Sequence, residues 1–184
     1  MTRILLVPGI GGSSPSHWQS IWQAAQPDSC FWPGLSRRDL DQPRLDRWLS
    51  AIDAAVGDAH ANTIVVGHSL GCLAVAHWAS SGKRRVRGAL LVSPPDPEGP
   101  AFPDAASEFA PLPERPLPFA TIIVASPTDP YLTLDQARRC AGSWQSELVV
   151  AEGGGHLGDD SGLGDWPFGR GLVARLAGAD GTAL

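Results

Sequence analysis

The sequence predicts a three-layer αβα sandwich, with helices on both faces of a mostly parallel six-stranded sheet, in one domain over residues 1–184. Three observations predict it. Apolar runs such as Ile4-Leu5-Leu6-Val7 and Thr121-Ile122-Ile123-Val124-Ala125 lack polar alternation, as expected of strands buried on both faces. These runs alternate with helix-length segments, a pattern that goes with a parallel sheet covered on both sides. The chain has 184 residues, 43% of them hydrophobic and 18% charged, enough for a substantial core.

The first strand covers residues 3–7 and runs into the loop Pro8-Gly9-Ile10-Gly11-Gly12. A helix over about 16–25 follows, with Trp18 and Trp22 four apart on one face. Next come a short strand at 29–32, a helix at 43–57, a strand at 63–67 and a helix at 70–81. A strand at 87–93 leads into segment 94–119, whose nine prolines are too dense for regular helix or ladder. A strand at 120–125, a helix at 133–142, a strand at 147–151 and a helix near 167–178 complete the pattern. Right-handed crossovers leave few topologies, and the expected strand order is 2-1-3-4-5-6.

Gly67-His68-Ser69-Leu70-Gly71 carries the chemistry. It matches G-x-S-x-G and lies between the strand Thr63-Ile64-Val65-Val66 and a helix, the context of a nucleophile elbow. A serine hydroxyl at its ordinary pKa needs a histidine base, and that base needs a carboxylate to hold its tautomer. With such an elbow the chain order is serine, acid, histidine. Of the five histidines, only His156 lies beyond the elbow in an irregular segment after a strand, behind Gly153-Gly154-Gly155. Asp129, in the turn after strand 120–125, is the first candidate for the acid, and Asp96, after strand 87–93, is the second. Asp159 and Asp160 read as solvated loop charges. The oxyanion donors expected are the backbone N–H of Leu70 and, through the bend at Gly9, that of Ile10, with Gly11 as its neighbour. His17 is placed to border the pocket. Segment 94–119 leaves a strand end near this site and is long enough to cover it. Phe102 and Phe109 then either contact substrate or pin the loop to the core.

The bulk properties exclude several classes. Net charge is −5 and the pI near 5.4, which favours neither a nucleic-acid nor an anionic membrane partner. The one basic cluster, Lys83-Arg84-Arg85 with Arg87, follows a helix, where cations complement its dipole. Three scattered cysteines give neither a disulfide framework nor a zinc motif, and no metal or organic cofactor is expected. The N-terminal apolar run is too short for a signal peptide or a membrane span, so a cytoplasmic protein is expected. A dinucleotide-binding reading of Gly9-x-Gly11 fails because Ser14 stands where the third glycine belongs. A non-catalytic binding module on the same fold remains the alternative.

Taken together, Pro8-Gly9-x-Gly11, Ser16-His17-Trp18-Gln19-x-x-Trp22, Gly67-His68-Ser69-Leu70-Gly71-Cys72, Gly155-His156 and Trp166-Pro167-x-Gly169 resemble a known group. They are very like the small serine hydrolases related to the retinoblastoma-binding protein of α/β-hydrolase fold. The resemblance implies a minimal α/β-hydrolase fold, without the two N-terminal strands of larger relatives and without a cap domain. It implies esterase-like hydrolysis of a small acyl substrate by Ser69, Asp129 and His156. A retinoblastoma-pocket ligand needs L-x-C-x-E, whereas Leu70-Gly71-Cys72-Leu73-Ala74 lacks the acid, so that interaction is not expected and a protein partner is unknown.

Overall fold

A computed structural model of the chain describes residues 2–82 and 85–178. Lys83 and Arg84 of the basic cluster therefore lie outside the described residues. The elements are β1 (Arg3–Val7), α1 (Trp18–Ala25), β2 (Cys30–Phe31), α2 (Arg37–Asp41), α3 (Leu45–Val56), β3 (Thr63–His68), α4 (Leu70–Ser80), β4 (Gly88–Val92), β5 (Thr121–Ala125), α5 (Leu134–Trp144), β6 (Glu147–Val150) and α6 (Pro167–Leu176). The sheet order is β2-β1-β3-β4-β5-β6 and every neighbouring pair is parallel.

Alternate residues of the central strands feed two cores. Leu5, Val65, Leu91 and Ile123 pack with Trp48, Leu73 and Cys140 from α3, α4 and α5 on one face. Ile4, Ile64, Leu90 and Ile122 pack with Trp18, Trp22 and Leu172 from α1 and α6 on the other. Burial on both faces explains why these strands read as unbroken apolar runs. It also explains α4, where nine of eleven residues are buried. That helix stands between sheet and outer helices, so it shows little polar-apolar periodicity.

Two local features differ from expectation. The short helix α2 was not expected from the pattern, although Ser36-x-x-Asp39 forms a capping box there. Segment 94–119 is not wholly irregular, because Asp104–Phe109 forms a 3₁₀ helix. Phe109 is fully buried, edge-on to Trp48 with ring centroids 5.6 Å apart. It pins the segment to the core and does not reach the pocket, which corrects its candidacy as a substrate contact. The His77 Nε2–H donates to the Phe109 carbonyl at 2.9 Å, and Trp144 Nε1–H donates to Pro113 at 2.8 Å. Most of the segment is thus a fastened wall.

Because all strands run the same way, the loops after β1, β3, β4, β5 and β6 gather at one rim. The order reverses between β1 and β3, and open parallel sheets hold their ligands at such a switch point.

Candidate active site

Ser69 joins β3 to α4 with φ 53° and ψ −125°, an uncommon conformation for a side-chain-bearing residue that costs about 1–3 kcal/mol. Its surroundings hold it there. The Ser69 N–H donates to Val92 at 2.9 Å, and the Cys72 N–H donates to the Ser69 carbonyl at 2.9 Å. A Cβ on Gly71 would lie 2.4 Å from the Val7 oxygen, so α4 can approach the end of β1 only through a glycine. A Cβ on Gly9 would lie 3.0 Å from Ser69 Cβ and 3.5 Å from its Oγ. Glycine at position 9 therefore keeps the hydroxyl uncovered.

His156 Nε2 lies 2.8 Å from Ser69 Oγ, and His156 Nδ1 lies 2.9 Å from both oxygens of Asp129. A carboxylate only accepts, so Nδ1 carries the proton and Nε2 accepts from the serine hydroxyl. The Asp129 side chain is fully buried, and its Oδ1 also accepts the Tyr131 N–H at 2.9 Å. Asp96 is turned elsewhere: its Oδ1 accepts from Gln136 Nε2 at 3.2 Å and from the Glu98 N–H at 3.0 Å. The structure thus brings together Ser69, His156 and Asp129 from three loops.

Leu70 opens α4, so its N–H has no acceptor within the helix, and the residue lines the cleft. Ile10 lines the cleft beside it. Gly11 does not: its N–H donates to Leu40 at 2.9 Å, and among the described lining residues its neighbour Gly12 takes the place. That bond commits Gly11 to the loop and removes it as a pocket and oxyanion candidate. The cleft has a volume of about 920 Å³. Pro95, Ala101, Phe102, Pro103, Pro130 and Tyr131 form an apolar side, while Asp159, Asp160 and Ser161 border the polar side. Phe102 is therefore at the cleft, as expected of one of the two phenylalanines. Among the described residues no group of His, Cys, Asp and Glu is arranged to hold a metal ion.

Sequence reasoning missed three residues. His68, the variable position of the elbow, is buried, with its ring centroid 5.1 Å from that of His156. Tyr131 places its ring 4.6 Å from His156. Asp159 lines the cleft and accepts a hydrogen bond from Ser14 Oγ. Spacing along the chain carries no signal for these contacts, because each joins loops made neighbours only by the sheet.

His17 borders the cleft as expected, but it is buried, and its Nδ1 caps α1 by accepting the Gln19 N–H at 3.1 Å. Burial lowers His17 to about 4 and His68 to about 3, so both are neutral at pH 7. In the unfolded chain both take up protons near pH 6.5, while the folded protein does not. Their neutral burial therefore leaves stability intact above pH 6.5 and lost progressively as pH falls toward the folded values. Between pH 6.5 and 5 the loss is up to about 2 kcal/mol for each histidine. The urea midpoint is expected to fall clearly from pH 7.5 to pH 5, and a flat midpoint would contradict this account of the pair.

With the geometry in place, comparison with known proteins assigns the class. Residues 4–175 match the serine hydrolase family model, and the chain belongs to that family. Its fold is that of the α/β-hydrolases. A structure of a Pectobacterium atrosepticum SCRI1043 protein described as a YdeN-like hydrolase is 31% identical with TM-score 0.83, covering 97% of this chain and 91% of that one. The Bacillus subtilis ydeN gene product is 22% identical with TM-score 0.78, covering 96% and 98%, a likeness of fold. In sequence, Bacillus subtilis (strain 168) YdeN, a hydrolase by name, is 28% identical over 99 residues. That match spans 50% of this chain and 50% of the curated relative's length.

Proposed function

We propose that the protein is an esterase-like serine hydrolase that cleaves small, uncharged esters, thioesters or activated amides through an acyl-enzyme on Ser69. The observation that carries this reading is the continuous hydrogen-bonded chain Ser69–His156–Asp129, at 2.8 and 2.9 Å, opening onto the cleft. His156 takes the serine proton as Oγ attacks the carbonyl carbon. The N–H groups of Leu70 and Ile10 stabilise the oxyanion, a role in which one donor is typically worth about 10²–10³ in rate. Asp129 keeps the imidazole oriented and stabilises its charged form. His156 then protonates the leaving group, and in the second half it deprotonates the water that releases the acid. Three free, buried cysteines suit a reducing compartment and support a cytoplasmic setting. No described helix is long and apolar enough to cross a membrane.

The cleft lining supports a charge preference. Among its described residues there is no lysine or arginine, while Asp159 and Asp160 stand at its border. The neutral His17 and His68 offer no compensating cation. An anionic acyl group therefore meets two like charges, partly screened because both aspartates are exposed. p-Nitrophenyl butyrate is expected to exceed p-nitrophenyl hemisuccinate in kcat/KM by about tenfold at low salt, with the gap narrowing at high salt. Hydrolysis of both esters at equal rates would remove this part of the reading. Hydrolysis of neither would favour the binding-module alternative.

A further inference from the structure

The H-W-Q-x-x-W element and the elbow histidine share a destination. The segment carrying His156 leaves edge strand β6 and passes through Gly153, Gly154, Gly155 and Leu157, all with positive φ. Three glycines in a row give this backbone many alternatives. Leu157, at φ 51°, holds a conformation uncommon for leucine. Asp129 fixes the imidazole of His156 but does not hold its main chain. Two ring N–H groups do. His68 Nε2 lies 3.0 Å from the His156 carbonyl oxygen, and Trp18 Nε1–H donates to the Leu157 carbonyl at 2.8 Å. A carbonyl only accepts, so His68 carries its proton on Nε2.

We propose that His68 and Trp18 form a latch that positions the base, holding the consecutive carbonyls of His156 and Leu157. The proposal rests on the reading of His156 as base to Ser69. His68 immediately precedes Ser69, so one end of the latch ties the main chain of the base to the turn that carries the nucleophile. Trp18 comes from α1, the helix that follows the loop of Ile10. Its neighbour Gln19 donates through Nε2 to Val7 at 3.2 Å and to Val66 at 3.1 Å, tying α1 to the ends of β1 and β3. Trp22 Nε1–H donates to Asp165 at 2.6 Å, farther along the same connection. The His17 ring packs against His68, with centroids 4.8 Å apart. At Gly158 a Cβ would come within 3.3 Å of His68 Cε1, so the loop lies directly on the latch. Gln19 thus acts on the two strand ends, Trp18 and Trp22 act on the histidine segment and the connection beyond it, and His17 caps α1 and packs on His68.

His68 and Trp18 are therefore positioning residues, and displacement of a base by about 1 Å costs on the order of 100-fold in rate. The test uses His68→Phe, which keeps a ring but removes the donor, and His68→Gln, which returns an N–H near the same place. With p-nitrophenyl butyrate, His68→Phe is expected to lower kcat by about 10- to 100-fold with KM changed less than about threefold, and His68→Gln to recover most of the loss. Proton NMR gives a readout separate from turnover. The Nδ1 proton shared by His156 and Asp129 is expected as a sharp downfield resonance in the wild type, broadened in His68→Phe and restored in His68→Gln. Trp18→Phe, checked for folding by circular dichroism, is expected to act in the same direction and serves if His68→Phe does not fold. A folded His68→Phe with wild-type kcat and an unchanged resonance overturns the latch, as does a glutamine variant no better than phenylalanine. Should wild-type hydrolysis survive Ser69→Ala, the triad reading fails, while the proton resonance still decides the latch.

Discussion

Ser69→Ala is expected to lower kcat for p-nitrophenyl butyrate by about 10⁴- to 10⁶-fold with the fold preserved. The Ser69 side chain makes no cap bond to α4, so alanine removes no helix anchor. The backbone bonds that set the turn, to Val92 and from Cys72, do not involve Oγ. What disappears is the hydroxyl that donates to His156 Nε2, on an imidazole held by the buried Asp129 carboxylate. His156→Ala is expected to cost a similar factor, and the double variant no more than either alone, because the pair acts as one unit. Circular dichroism and a urea titration check the fold, and steady-state hydrolysis checks the rate. Loss of less than tenfold in a folded Ser69→Ala protein would mean that hydrolysis takes place by another route.

The second large effect is expected from Asp129→Asn, about 10⁴-fold in kcat at neutral pH. An asparagine at this position can present its amide N–H₂ to Nδ1. The imidazole then takes the tautomer protonated at Nε2, and Nε2 can no longer accept from Ser69. The geometry at the site is retained while the direction of the hydrogen bonds is reversed. Asp96→Asn serves as the control. Its carboxylate holds Gln136 and the Glu98 N–H and makes no contact with His156, so activity is expected to stay within about twofold. The opposite pattern, with Asp96→Asn inactive and Asp129→Asn active, would transfer the role of the acid to the earlier loop.

The sheet was legible because its strands are buried on both faces. An apolar run such as Leu5-Leu6-Val7 has no other stable place in a chain this size, and the strand order follows once handed crossovers are imposed. The nucleophile was legible for a local reason: Gly67 and Gly71 are required by contacts within a few residues or to the adjacent strand end. The acid was narrower, since two carboxylates follow two neighbouring strands, and only the fold shows that Asp129 meets His156 while Asp96 is taken by Gln136 and the Glu98 N–H. Helix α2 escaped because five residues carry too little periodicity, although Ser36 and Asp39 were a usable signal. Phe109 shows the limit most clearly. A phenylalanine in a proline-rich segment is equally compatible with pocket and core, and its burial against Trp48 depends on a helix more than fifty residues earlier. His68 carried no signal of any kind, because the second position of the elbow is free to vary in the motif itself.

The central claim is that Ser69 is a nucleophile made reactive by His156 and Asp129. The most direct measurement is reaction of the purified protein with a fluorophosphonate, followed by intact mass and peptide mapping. One adduct per chain is expected, on Ser69, with labelling strongly slowed by His156→Ala. An unmodified protein, or an adduct on another residue with Ser69 untouched, would contradict the account.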